Sequence, residues 1–80
     1  MKSEKGIEKG KFKKMQISVI KHNEKIIQEN VFYGLKNGYS EEEISEYEEE
    51  AYRELEKLKK FLKSGGTPIF DIYTEMYVMP

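Results

Sequence analysis

Apolar and polar positions fall into four patterned stretches along this chain. From Phe12 onward, Met15, Ile17 and Val19 alternate with Gln16 and Ser18, which is the two-residue period of a half-buried strand. Lys21-His22-Asn23-Glu24 is polar and reads as a turn. Residues 25–35 carry two patterns at once. As a strand they put Ile27, Val31, Tyr33 and Leu35 on one face, with Glu29 intruding; as a helix they gather Ile26, Ile27, Val31 and Leu35 in one sector. The β-favouring cluster Val31-Phe32-Tyr33, following a polar turn, points to the strand and so to an N-terminal hairpin.

The most regular pattern comes next. Ser40 with Glu43 three residues on forms a capping box, in which hydroxyl and carboxylate each satisfy a backbone N–H at a helix start. Ile44, Tyr47, Ala51, Leu55, Leu58 and Leu62 then recur at steps of three and four, the stripe of an amphipathic helix. Gly65-Gly66 ends it, because glycine takes the left-handed cap conformation without a steric cost. The spacing predicts a helix over residues 41–63, about 33 Å long. After Pro68, the residues Phe70, Ile72, Met76 and Val78 share one face, with Asp71, Tyr73, Glu75 and Tyr77 opposite, as in a single strand of about nine residues.

The fold expected is α+β: a small antiparallel or mixed sheet, made of the N-terminal hairpin and the C-terminal strand, packed by one long acidic helix. If residues 25–35 are helical, the order becomes β-α-α-β. Residues 1–11 are lysine, glutamate and glycine with few others, and repeat Glu-Lys-Gly at 4–6 and 8–10. They are expected to be a disordered basic tail, leaving a single domain over residues 12–80.

Length and composition narrow the chemistry. Eighty residues allow one domain. The lack of cysteine excludes disulfides and thiolate metal sites, and suits a cytoplasmic setting. The apolar run Met76–Met79 is far short of the roughly 20 residues a membrane helix needs, and no apolar leader follows the basic start. With one histidine, one aspartate and one arginine, no nucleophile–base pair or metal-ligand spacing emerges. No catalytic residue, metal or cofactor is therefore expected. His22 reads as a solvated turn residue, and Gly65-Gly66 as a helix stop and not a phosphate cradle.

Charge is the distinctive signal. The formal net charge is -1, yet residues 1–36 hold nine lysines against four glutamates, and residues 37–80 hold five basic against eleven acidic residues. Nine glutamates lie between Glu41 and Glu56, with Arg53 alone opposing them. On a helix that is one carboxylate per roughly 2.5 Å, between the roughly 1.7 Å spacing of duplex DNA and the roughly 3.4 Å of one strand. Helix-dipole preference and the i,i+4 pairs Glu49–Arg53 and Glu56–Lys60 account for part of this pattern. Glu42, Glu46 and Glu50, by contrast, stack as like charges, which a helix selected only for stability avoids.

The candidate partner-facing residues are accordingly Glu41, Glu42, Glu46, Glu49 and Glu50, with Tyr73 and Tyr77 as a second surface for a partner or a homodimer. The function expected is a non-enzymatic protein-interaction module. Its Glu-rich helix mimics nucleic-acid charge and occupies the basic DNA-binding surface of another protein, with no direct nucleic-acid or membrane contact. In size, lack of cysteine and acidic helix the chain resembles the compact host-targeting inhibitors of phages and mobile elements, a likeness of composition and not of motif. Two alternatives stand beside this. One is a small nucleic-acid binder using the N-terminal lysines with Phe12, Phe32 or Tyr33; the other is a dimeric regulatory subunit.

Overall fold

The computed structural model describes residues 12–80; the expected basic tail lies outside the described residues. Two helices of 23 residues each, α1 (Lys14–Lys36) and α2 (Glu41–Lys63), form an antiparallel pair. A short antiparallel hairpin, β1 (Ile69–Asp71) and β2 (Met76–Val78), then folds back onto α1. The α+β class stands, but its content differs from expectation at both ends.

No N-terminal hairpin forms. Residues 14–36 are one helix, and its inward line is Val19, Ile20, Asn23, Ile27 and Gly34. These positions follow the helical period, but two of the five carry an amide or no side chain at all. The alternation of Met15, Ile17 and Val19 is incidental, since Met15 is 77% exposed. Phe32 and Tyr33, which favoured a strand, also face solvent.

Both helices end by one device. Gly38 (φ 86) and Gly65 (φ 94) take the left-handed conformation. The next residue then donates back across the last turn, from the Tyr39 N–H to the Gly34 carbonyl (3.0 Å) and from the Gly66 N–H to the Phe61 carbonyl (2.9 Å). The starts differ. Ser40 caps α2 as expected, accepting from the Glu43 N–H at 3.1 Å while Glu43 accepts from the Ser40 N–H at 3.0 Å. At α1, Gln16 accepts the Lys13 N–H (2.8 Å) and donates to the Leu62 carbonyl (2.9 Å), which ties the start of one helix to the end of the other.

The single C-terminal strand is corrected to a hairpin. Asp71 breaks the run: its carboxylate accepts the Tyr73 N–H (2.9 Å) and its carbonyl accepts the Glu75 N–H (2.7 Å). Glu75 completes the reversal at φ 60, a conformation usually left to glycine or asparagine. The register pairs Ile69 with Val78, Phe70 with Tyr77 and Asp71 with Met76.

Helix α1 holds this hairpin through polar groups. The Asn23 amide, 5% exposed, donates to the Tyr77 carbonyl and accepts the Tyr77 N–H, both at 2.9 Å, as a neighbouring strand would. Because both backbone groups of Tyr77 turn to Asn23, the Phe70–Tyr77 pair is a non-hydrogen-bonded one. His22, far from being a solvated turn residue, bonds the Glu75 carbonyl through Nε2 at 2.7 Å and packs 5.9 Å from Phe70 and 5.5 Å from Tyr77. The core is small: Val19, Ile20 and Ile27 from α1 meet Leu55, Leu58 and Leu62 from α2, with Met76, Tyr77 and Met79 packed against them. The envelope is a slab of 41 × 31 × 16 Å.

Antiparallel pairing also sorts charge. It places Lys13 and Lys14 at the same end as Lys57, Lys59, Lys60 and Lys63, and the start of the Glu-rich segment at the opposite end. Among the described residues, no helix is long and apolar enough to cross a membrane.

Candidate partner-binding surface

The stripe of Leu55, Leu58 and Leu62 turns inward, so the glutamates of α2 turn outward. Glu41, Glu42, Glu46, Glu49 and Glu50 are all exposed. At about 100° per residue, Glu42, Glu46, Glu49 and Glu50 share a sector about 100° wide, and Glu41 lies about 80° beyond its edge. The first four form one outer surface; Glu41 flanks it.

Ion pairing divides this segment. Arg53 pairs with Glu50, Lys57 with Glu54 (3.4 Å) and Lys59 with Glu56 (3.1 Å), each at a spacing of three. The expected pairs Glu49–Arg53 and Glu56–Lys60 are not the ones formed. Exposed pairs of this kind contribute about 0–1 kcal/mol each, so their main effect is local neutrality. Glu41, Glu42, Glu46 and Glu49 make no ion pair with another described residue. Among the described residues, carboxylates without an ion pair therefore collect over the first half of α2.

The two candidate tyrosines are not brought together. Tyr73 stands at the hairpin turn, 92% exposed, whereas Tyr77 is half-buried against His22 and Phe70. They do not form one outer face, because the turn between them separates the two halves of the supposed strand.

Sequence reasoning missed a groove between the helices. The β-hairpin covers it at the end where α1 begins and α2 finishes, and the remainder stays open toward the helix–helix loop. Nearest the hairpin is a hollow of about 230 Å³ bounded by Ile27, Ala51, Leu55, Met76 and Met79, with Glu50 and Glu54 along its α2 edge. Beyond Tyr47, which lines both, lies a cleft of about 370 Å³ lined by Tyr33, Tyr39, Gly34, Ile44 and Glu43. The Asn30 amide donates to the Tyr47 hydroxyl (2.8 Å) and fixes it between the two hollows. Gly34 makes room in the cleft: a Cβ there would sit 2.5 Å from Ile44 Cδ1 and 3.4 Å from the Tyr39 ring. A glycine inside the helical pattern, three tyrosines spaced around it, was the available signal.

Among the described residues, no group of three or more His, Cys, Asp or Glu is arranged to hold a metal ion. Compared with protein-family models, curated proteins and solved structures, the chain matches none of them.

Proposed function

We propose that this chain is a non-enzymatic interaction module that sets the Glu-rich start of α2 against the basic, nucleic-acid-binding surface of another protein in the cytoplasm. The observation that carries the reading is the exposed set Glu41, Glu42, Glu46 and Glu49, which no described cation pairs. The second half of the segment, paired through Arg53, Lys57 and Lys59, behaves as an ordinary solvated helix face. The first half presents carboxylates that no described residue pairs, on a continuous helix. Its carboxylate density falls in the range of a nucleic-acid backbone, so it competes for the same lysines and arginines and speeds encounter with them.

The test is capture at about 50 and 300 mM salt by immobilised protein, with duplex DNA as the competitor. Proteins held through the acidic face are nucleic-acid binders that DNA displaces. Replacing Glu42, Glu46 and Glu49 by glutamine removes three contacts of about 0.5 kcal/mol each, a loss of roughly tenfold in affinity. Folding should be unchanged or slightly improved, since like-charge neighbours disappear. Capture that is unaffected by this triple substitution, or indifferent to DNA, refutes the proposal.

One observation favours a second reading. The antiparallel pair gathers Lys13, Lys14, Lys60 and Lys63 at one end, a cluster that suits phosphate. Salt-sensitive binding to oligonucleotides at about 150 mM salt, abolished by substitutions at these lysines, would put that reading first.

A further inference from the structure

The open cleft at the helix–helix loop has the composition of a cation receptor. Tyr33 and Tyr39 are 59% and 58% exposed, and with Tyr47 they line one cavity of about 370 Å³ whose α2 edge carries Glu43. Aromatic faces attract cations through their quadrupole, and a carboxylate at the rim adds a fixed negative charge. Among the described residues, the cation at this end does not fill the role: Lys36 lies over the Phe32 ring, 5.6 Å from its centroid. Glu43 spends one oxygen on the Ser40 N–H and makes no ion pair with another described residue. The Asn30 amide nitrogen is engaged by Tyr47, and its oxygen remains to accept from an incoming N–H.

We infer that this cleft seats one cationic side chain, arginine or lysine, of the protein that docks on the acidic start of α2. The inference rests on the proposed function and adds to it the anchoring contact. Charge complementarity selects a polybasic protein segment over a free small cation. A single cation uses the cleft alone, whereas a segment with further basic residues also reaches Glu46, about 60° around α2 from Glu43, and through it the edge of the outward glutamate surface. Arginine suits the site best, because its planar guanidinium stacks on an aromatic face while it donates to carboxylate and amide oxygens.

The experiment is a titration of the full chain with acetylated hexa-arginine, followed by backbone amide NMR, with hexa-citrulline as the neutral counterpart of equal length. The expected result is saturable shifts at Tyr33, Gly34 and Tyr39 with arginine and none with citrulline. Tyr33→Leu and Tyr39→Leu should each weaken binding by about two- to five-fold, while Tyr39→Phe, which keeps the ring face, should not. Both positions are more than half exposed, and thermal melts confirm folding of each variant. Glu43→Gln should weaken binding as well without unfreezing the helix start, since an amide oxygen still accepts the Ser40 N–H. Shifts confined to the amides of residues 41–49, with the leucine variants binding as the parent does, would overturn the cleft and leave the acidic face standing. An absence of shifts anywhere would overturn both. Equal response to citrulline would make the cleft a seat for neutral groups and refute the cation.

Discussion

Replacing Asn23 with alanine deletes two hydrogen bonds and strands their partners. The Tyr77 N–H and carbonyl, each 2.9 Å from the Asn23 amide, both point at α1. They cannot turn to β1, because Phe70 and Tyr77 form a non-hydrogen-bonded pair. Each orphaned group at this part-buried site costs about 1–1.5 kcal/mol, so the substitution should remove about 2–3 kcal/mol. A chain of this length has about 4–12 kcal/mol of stability in total, so the loss is a large share of it. The midpoint of thermal unfolding should fall by about 10–20 °C. Urea unfolding followed by circular dichroism measures the free energy, and amide exchange at Met76 and Tyr77 reports the hairpin itself. A change below about 0.5 kcal/mol, with exchange at Tyr77 unaltered, would refute the claim that this amide fastens the hairpin. Asn23→Asp sharpens the test. The carboxylate keeps an acceptor for the Tyr77 N–H but faces the Tyr77 carbonyl with a second acceptor, so its folded pKa should lie above the unfolded value of about 3.9. A raised folded value means stability present at low pH and lost as pH rises through it; this variant should therefore recover on acidification.

Three further substitutions probe chain reversals. Ser40→Ala removes the acceptor of the Glu43 N–H and should lower stability by about 1 kcal/mol, a drop of about 4–8 °C in a thermal melt. Glu75→Gly should raise the melting temperature, since glycine adopts φ 60 without the roughly 1–2 kcal/mol penalty of a side chain and its carbonyl still receives His22. Gly66→Ala should destabilise by about 1–3 kcal/mol, because a Cβ there runs into the ring of Phe61; a melt identical to the parent's would show that the ring swings aside.

Helix α2 was legible because every local signal agreed: a capping box, an uninterrupted apolar stripe and a double glycine stop. Helix α1 uses the same stop, Asn37-Gly38, directly before the Ser40 cap, and that juxtaposition marks a helix–loop–helix. Its apolar stripe was obscured because Asn23 and Gly34 occupy two of the inward positions, one to hold β2 and one to admit Ile44. The C-terminal reversal was hidden for a different reason. Ile72 to Glu75 contains no glycine, proline or asparagine, and the turn is made by Asp71 and by a strained glutamate. Of the proposed surface, the glutamates could be read from the chain, whereas their division into paired and unpaired halves depends on side-chain placement. The tyrosine-lined cleft depends on the antiparallel pairing itself, which brings Tyr33 and Tyr47 from separate helices to one cavity.

The gathering of six lysines at one end of the helix pair, and of most α2 glutamates toward the other, makes the isoelectric point a poor guide to behaviour. The sequence pI is about 5.9 and the net charge is -1, values that describe a nearly neutral particle. Along α2, however, Glu42 and Lys60 are about 27 Å apart, more than three times the screening length of about 8 Å at physiological salt. A surface approaching either end feels that end alone. At about 0.1 M salt, where the screening length of about 10 Å is still well below that separation, and at neutral pH, the protein should therefore be retarded by both an anion exchanger and a cation exchanger, presenting opposite ends to the two resins, and more salt should release it from each.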